Sequence, residues 1–86
     1  MINNYFLYND LPTLDLHGQD RYSAVILTNE FVSDNLKLGN KLIIVVHGKG
    51  KEILKTEIHK SLKTNKNVKV FKTDMFNPGA TIIELK

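Results

Sequence analysis

The chain has 86 residues, of which 42% are hydrophobic and 24% charged, with a formal net charge of +3 and no cysteine. That length gives one domain with a thin core, and the apolar fraction excludes disordered and fibrous classes. The absence of cysteine excludes disulfide scaffolds, thiolate zinc sites and cysteine nucleophiles. The longest apolar run, Leu42 to Val46, is too short to cross a membrane. The first ten residues lack the basic-then-apolar layout of a signal peptide. A cytoplasmic location without membrane contact is therefore expected.

Residues 1–12 show no clear period and carry Tyr5, Phe6, Leu7 and Tyr8. They read as an N-terminal arm that packs its aromatics and ends at Pro12, ahead of a domain over residues 13–86. Thr13 to His17 alternates, with Leu14 and Leu16 on one side and Asp15 and His17 on the other, which predicts a strand ended by Gly18. Asp20 is a helix N-cap candidate. From Arg21 to about Leu38, Ala24, Leu27 and Phe31 recur at helical spacing, with Thr28 beside them, and Val25, Val32 and Leu36 widen the stripe. Gly39-Asn40 stops that helix. Lys41 to His47 is β-branched and apolar, and reads as a buried central strand. A second helix starts near Lys51, repeats Leu54, Ile58 and Leu62 on one face, and ends by Asn65. Val68 to Thr73 alternates again, with Val68 and Val70 opposed to Lys69 and Phe71. Asn77-Pro78-Gly79 is a turn signal, and Ala80 to Leu85 is a last strand with Ile82 and Ile83 on opposite faces.

The predicted order is β-α-β-α-β-β. A helix joins the first two strands, so they run parallel; a loop of about five to seven residues joins the last two, so they run antiparallel. The fold class is an α/β two-layer sandwich, a four-stranded mixed sheet with two helices.

Charge is unevenly placed. Residues 1–43 carry three basic and five acidic side chains, and residues 44–86 carry nine and four. A lysine-rich second half suits a phosphate-bearing partner, and equally a solvated surface. Both strand-to-helix junctions carry His-Gly, at His17-Gly18 and His47-Gly48. The carboxyl edge of parallel strands is where ligands bind in open α/β sheets. Asp15, two residues before His17, is placed to orient its imidazole for proton transfer near neutral pH. His59 lacks this context and reads as structural. Gly48-Lys49-Gly50-Lys51 leads into a helix N-terminus, an anion site by its free N–H groups and dipole. The loop lacks the P-loop pattern, and Ile53 stands where a dinucleotide fingerprint needs its third glycine, so a polynucleotide backbone suits it better than a nucleotide cofactor. No cofactor and no metal site are expected.

These residues together resemble a family. Leu14-Asp15-Leu16-His17-Gly18, then Ile44-Val45-Val46-His47-Gly48-Lys49-Gly50, then Gly79-Ala80-Thr81-Ile82-Ile83-Glu84-Leu85 look like an Smr (small MutS-related) domain over residues 13–86, here as a stand-alone, single-domain member. The resemblance implies a fold similar to the C-terminal domain of bacterial translation initiation factor three, and nucleic-acid binding. Members cleave RNA or nick DNA, and some act on messenger RNA at stalled or collided ribosomes. The family's functional positions fall on Asp15, His17, His47, Gly48, Lys49 and Gly50. The sequence departs from the pattern at Glu52, where a third loop glycine is common, at Lys55, where arginine is frequent, and in the reduced glycine turn before the last strand.

The expectation is a metal-independent endoribonuclease acting on RNA, including messenger RNA on the ribosome. His17, oriented by Asp15, would be the base, and His47 would protonate the leaving group or bind phosphate. Gly48, Lys49, Gly50, Lys51 and Lys55 would bind phosphate. Its rivals are a non-catalytic module that docks on nucleic acid or the ribosome, and a metal-dependent DNA nickase.

Overall fold

The computed structural model describes residues 11–50 and 52–86. The predicted arm through residue 10 and the predicted phosphate contact of Lys51 lie outside them. The elements are β1 (Thr13–Asp15), α1 (Arg21–Lys37), β2 (Leu42–Val46), α2 (Glu52–Thr64), β3 (Val68–Thr73) and β4 (Ala80–Leu85). No helix among the described residues is long and apolar enough to cross a membrane.

The strands form one mixed sheet in the order β1-β2-β4-β3. β1 runs parallel to β2, with Asp15 opposite Val46. β4 is antiparallel to both β2 and β3, with Val46 opposite Ala80 and Phe71 opposite Ile83. The last strand in sequence is thus inserted at the centre. This explains its near-continuous burial, while β1 and β3 are left as edges.

Both helices lie on one sheet face. Leu16, Ile43, Val45, Val68, Ile83 and Leu85 from the sheet side pack with Ala24 and Val32 of α1 and with Leu54, Ile58 and Leu62 of α2. Each large aliphatic side chain so buried contributes about 1.5–3 kcal/mol. The other face buries Ile44, Ala80 and Ile82, with Leu11, Leu42 and Val46 against them. Ile82 and Ile83 fall on opposite faces, as the period of two requires.

α1 starts where its cap predicts. Asp20 accepts from the Ser23 N–H at 2.8 Å, which holds its carboxyl below the ordinary value. The helix ends in a Schellman motif: Asn40 N–H bonds the Asn35 carbonyl, Gly39 N–H bonds the Leu36 carbonyl, and Gly39 takes φ +82°. Its fully buried line is Ala24, Thr28, Val32 and Asn35, more polar than the predicted stripe. Leu27, Phe31 and Leu36 flank this line and are only partly buried. Asn35 is satisfied at depth, donating to the Phe31 carbonyl at 2.9 Å and accepting from Asn40 Nδ2 at 2.8 Å. A second polar clasp, Asn29 with Ser61 and Asn65, ties α1 to α2.

β3 departs from the expected alternation. A register shift between Val68 and Val70 inserts a bulge, and a one-residue slip exchanges the faces of everything beyond it. Val68 stays buried, Val70 is 45% exposed, and Phe71 packs on the core instead. Part of the lysine excess belongs to this edge: Lys69 and Lys72 are exposed along β3, and Lys69 Nζ lies 3.5 Å from Glu84. Charged side chains on an edge strand discourage further strand pairing.

Candidate functional site

The loops after β1 and β2 emerge at the same edge of the sheet, and the loop before β4 meets them there. Each predicted His-Gly pair forms a tight turn that needs its glycine. Gly18 has φ +81° and Gly48 φ +95°, a region that costs other residues strain.

In the first turn the Gln19 N–H bonds the Leu16 carbonyl at 3.0 Å. β1 ends at Asp15, not His17, so the expected shared strand face of these two side chains is lost. Asp15 Oδ1 accepts from the backbone N–H of His17 at 2.9 Å. The carboxylate therefore fixes the backbone of His17 rather than its ring. The His17 side chain is exposed, and among the described residues its imidazole has no hydrogen-bond partner.

The second turn is bolted to β4. The Gly79 carbonyl accepts from His47 N–H at 2.8 Å and from Gly48 N–H at 2.9 Å. A Cβ on Gly79 would lie 2.9 Å from both Gly48 C and Lys49 N, so only glycine permits this approach. His47 is 2% exposed. Its Nε2 lies 2.8 Å from Thr81 Oγ1 and its Nδ1 3.3 Å from the Gly48 carbonyl oxygen. Both ring nitrogens are thus engaged within the protein, which conflicts with the expected direct proton transfer or phosphate contact by this ring. His59, expected to be merely structural, places its Nε2 2.7 Å from the same Thr81 hydroxyl and its ring edge-on to Phe71 at 4.9 Å. Burial pushes both histidines below their ordinary pKa, and for His59 the neighbouring His47 adds to the effect.

A cleft of about 700 Å³ opens between the two turns. The segment from Leu16 to Arg21 walls one side, and His47 to Gly50 with Ile53 and Leu54 the other. Of the predicted site residues, His17, His47, Gly48, Lys49 and Gly50 meet here. Asp15 does not line the cleft. Lys55 faces an adjoining groove of about 320 Å³ with Glu52, His59, Lys60 and Lys63. The negative charge of Glu52 likewise lies in that groove, at the first turn of α2, where it favours the helix dipole. The N-terminal ends of α1 and α2 both border the cleft; that of α1 is already capped by the Asp20 carboxylate, so it is the dipole of α2 that favours an anion there. Gly50 has open space around the position of a Cβ.

Sequence reasoning missed four contributors. Arg21 lines the cleft with its guanidinium 5.1 Å over the Tyr22 ring; its position one residue past the cap was the available signal. Gly79, Thr81 and His59 reach the site through the placement of β4 and α2; the turn signal and the family motif marked Gly79 and Thr81 without a role at the site, and nothing local announced His59. Among the described residues no three His, Asp or Glu side chains gather closely enough to hold a metal ion.

Comparison with known proteins fits this geometry. The family model of the Smr domain matches residues 14–86. The endonuclease MutS2 of Clostridium kluyveri is 34% identical over 86 residues, covering 96% of this chain and 11% of that protein. The MutS2 of Pediococcus pentosaceus is 36% identical over 77 residues, covering 86% and 10%. The chain thus spans about a tenth of the length of these relatives. The crystal structure of the Smr domain of Thermus thermophilus MutS2 superposes with TM-score 0.85 at 24% identity, covering 88% of this chain and 99% of that one. YdaL, a stand-alone small MutS-related protein from Escherichia coli, superposes with TM-score 0.81 at 20% identity, covering 86% and 63%.

Proposed function

The chain belongs to the Smr domain family, and on that premise we propose that it binds nucleic acid in the cleft between its two His-Gly turns and cleaves RNA there without a metal ion. The observation that carries this reading is the meeting of an exposed His17, its ring without a hydrogen-bond partner among the described residues, with the Gly48-Lys49-Gly50 turn across one cleft flanked by two helix N-termini. The His17 imidazole takes the proton of a ribose 2′-hydroxyl. The 2′-oxygen attacks phosphorus, the bond from phosphorus to the 5′-oxygen breaks, and that oxygen takes a proton from water. The products end in 2′,3′-cyclic phosphate and 5′-hydroxyl. The Lys49 side chain and the backbone N–H groups of Lys49 and Gly50 stabilise the extra charge on the phosphorane, the kind of contribution that is usually largest; those of His47 and Gly48 are held by the Gly79 carbonyl. Asp15 keeps the His17 backbone in place, and His47 serves the turn rather than the substrate. The name endonuclease carried by MutS2 relatives supports a nuclease reading.

A second reading, a docking module for nucleic acid or for RNA on the ribosome, draws on a specific observation. Asp15 and His47, two of the three expected catalytic side chains, are bonded to the protein itself. End-labelled single-stranded RNA, matched DNA and ribosome-bound messenger RNA, incubated with and without EDTA, separate the readings. RNA cleavage that persists in EDTA and vanishes in His17→Ala is the expected result. Binding without cleavage of any substrate would establish the docking module. Cleavage confined to DNA and abolished by EDTA would move the chemistry to metal-dependent nicking.

A further inference from the structure

Thr81 has one hydroxyl proton and sits between two imidazoles. It is fully buried on β4, pointing to the helix side of the sheet at the position paired with Val45. His47 Nε2 approaches its oxygen at 2.8 Å from β2, and His59 Nε2 at 2.7 Å from α2. The two rings stand edge to face at 6.0 Å. Three groups joined this way must agree on a direction, because a neutral imidazole carries one proton and one lone pair.

The long contact to the Gly48 carbonyl shows which direction the chain takes, without being strong enough to impose it alone. The carbonyl oxygen lies 3.3 Å from His47 Nδ1. If Nδ1 were bare, two lone pairs would face each other in a part-buried place, so Nδ1 carries the proton. His47 Nε2 is then the acceptor, and the Thr81 hydroxyl must donate to it. Thr81 in turn needs a donor at its remaining site, and His59 Nε2–H supplies one. The chain runs from His59 to Thr81 to His47 to the Gly48 carbonyl. Burial, which holds both rings neutral, is consistent with it.

We propose that His59 and Thr81 are positioning residues for the cleft: through one directed hydrogen-bond chain they hold His47 in the Nδ1–H form, which clamps the Gly48 carbonyl and sets the Gly48–Gly50 turn that faces the ligand. The chain crosses three elements, so the turn is set by α2 and β4 as well as by its own sequence. The link to phosphate binding rests on the cleft being the nucleic-acid site, whereas the hydrogen-bond chain itself does not.

Long-range proton–nitrogen correlation spectra of the histidine rings, recorded on the free protein near pH 7.5, test the chain without any nucleic acid. His47 is expected as the Nδ1–H tautomer and His59 as Nε2–H. Thr81→Val, which keeps the shape and removes the hydroxyl, should release His47 to a mixture of tautomers and shift the Gly48 and Gly50 amide signals. Thr81→Ser should restore both. An Nε2–H tautomer for His47 in the unaltered protein overturns the proposal, and so does a Thr81→Val spectrum with His47 unchanged. Should Thr81→Val fail to fold, the tautomers of the unaltered protein and of Thr81→Ser decide alone. A second arm measures binding to a fluorescent single-stranded RNA. Thr81→Val is expected to weaken it about two- to tenfold, one hydrogen bond's worth, with Thr81→Ser close to the unaltered protein. A confirmed tautomer with no RNA binding by any form would count against the cleft as a nucleic-acid site while leaving the chain intact. A tautomer change with unchanged binding would sever the chain from the turn and overturn its positioning role.

Discussion

The two His-Gly turns share a dipeptide, a positive-φ glycine and a place at the carboxyl edge of the sheet, yet they present opposite faces to chemistry. His17 is exposed with its ring unpartnered among the described residues, whereas His47 is 2% exposed with both ring nitrogens bonded. The cause is the neighbour. β1 is an edge strand, so the turn after it meets solvent; β2 has β4 beside it and α2 above, so the turn after it meets Thr81 and His59. The same two residues thus give an open side chain at the edge and a bonded one at the centre.

Exchanging the roles is the sharpest way to break this contrast. His17→Ala should cut RNA cleavage by about 10²–10⁴-fold, the usual worth of a general base, with little change in the unfolding midpoint in urea. His47→Ala should do the reverse first, lowering stability by about 1–3 kcal/mol through the unsatisfied Thr81 hydroxyl and Gly48 carbonyl. Equal stability losses from the two substitutions would erase the distinction.

Gly79→Ala attacks the bolt that only the second turn has. The added methyl must displace backbone at Gly48 and Lys49, so stability should fall by about 1–3 kcal/mol, and RNA affinity with it, in a urea melt paired with a binding titration. Within the second turn, Gly48→Ala should cost roughly 1–2 kcal/mol for its positive φ. Gly50→Ala should leave the melt unchanged and weaken binding alone, because its methyl would project into open space. A smaller effect separates the turns by pH. His47 and His59 are both held below the ordinary histidine value, first by burial; at His47 the bond to the Gly48 carbonyl opposes this, Lys55 adds to it and Glu52 opposes it, while at His59 His47, Lys55 and Lys63 all add to it. The unfolded chain therefore takes up protons near pH 6.5 that the folded chain resists. This stability is full above that value and declines as pH falls toward 5. Urea midpoints at pH 7.5 and 5.0 should show the decline in the unaltered protein and a smaller one in His59→Gln.

What the sequence revealed was local. The cap at Asp20, the stop at Gly39-Asn40, the stripe of Leu54, Ile58 and Leu62, and the glycine after each of the two parallel strands are written within a few residues of where they act, and each was legible. The convergence of both turns on one cleft followed from strand order rules. What stayed hidden depended on distance along the chain. Thr81 lies 34 residues from His47 and 22 from His59, and only the insertion of β4 beside β2 brings them together. The Asp15 carboxylate was misread for a smaller reason: the strand stopped two residues early, and the side chain bonded the nearest amide instead of a ring. The bulge in β3 likewise reversed Val70 and Phe71 without any glycine or proline to mark it.

The insertion of β4 also sets an order of assembly. During synthesis the first turn, the second turn and both helices are made before residues 79–81 exist. Until then the carbonyl that holds His47 and Gly48, and the hydroxyl between the two imidazoles, are missing. A nascent chain can form its helices early, but it cannot close its cleft until its last strand has slid between two strands already made. The cleft is therefore among the last parts of this fold to take shape.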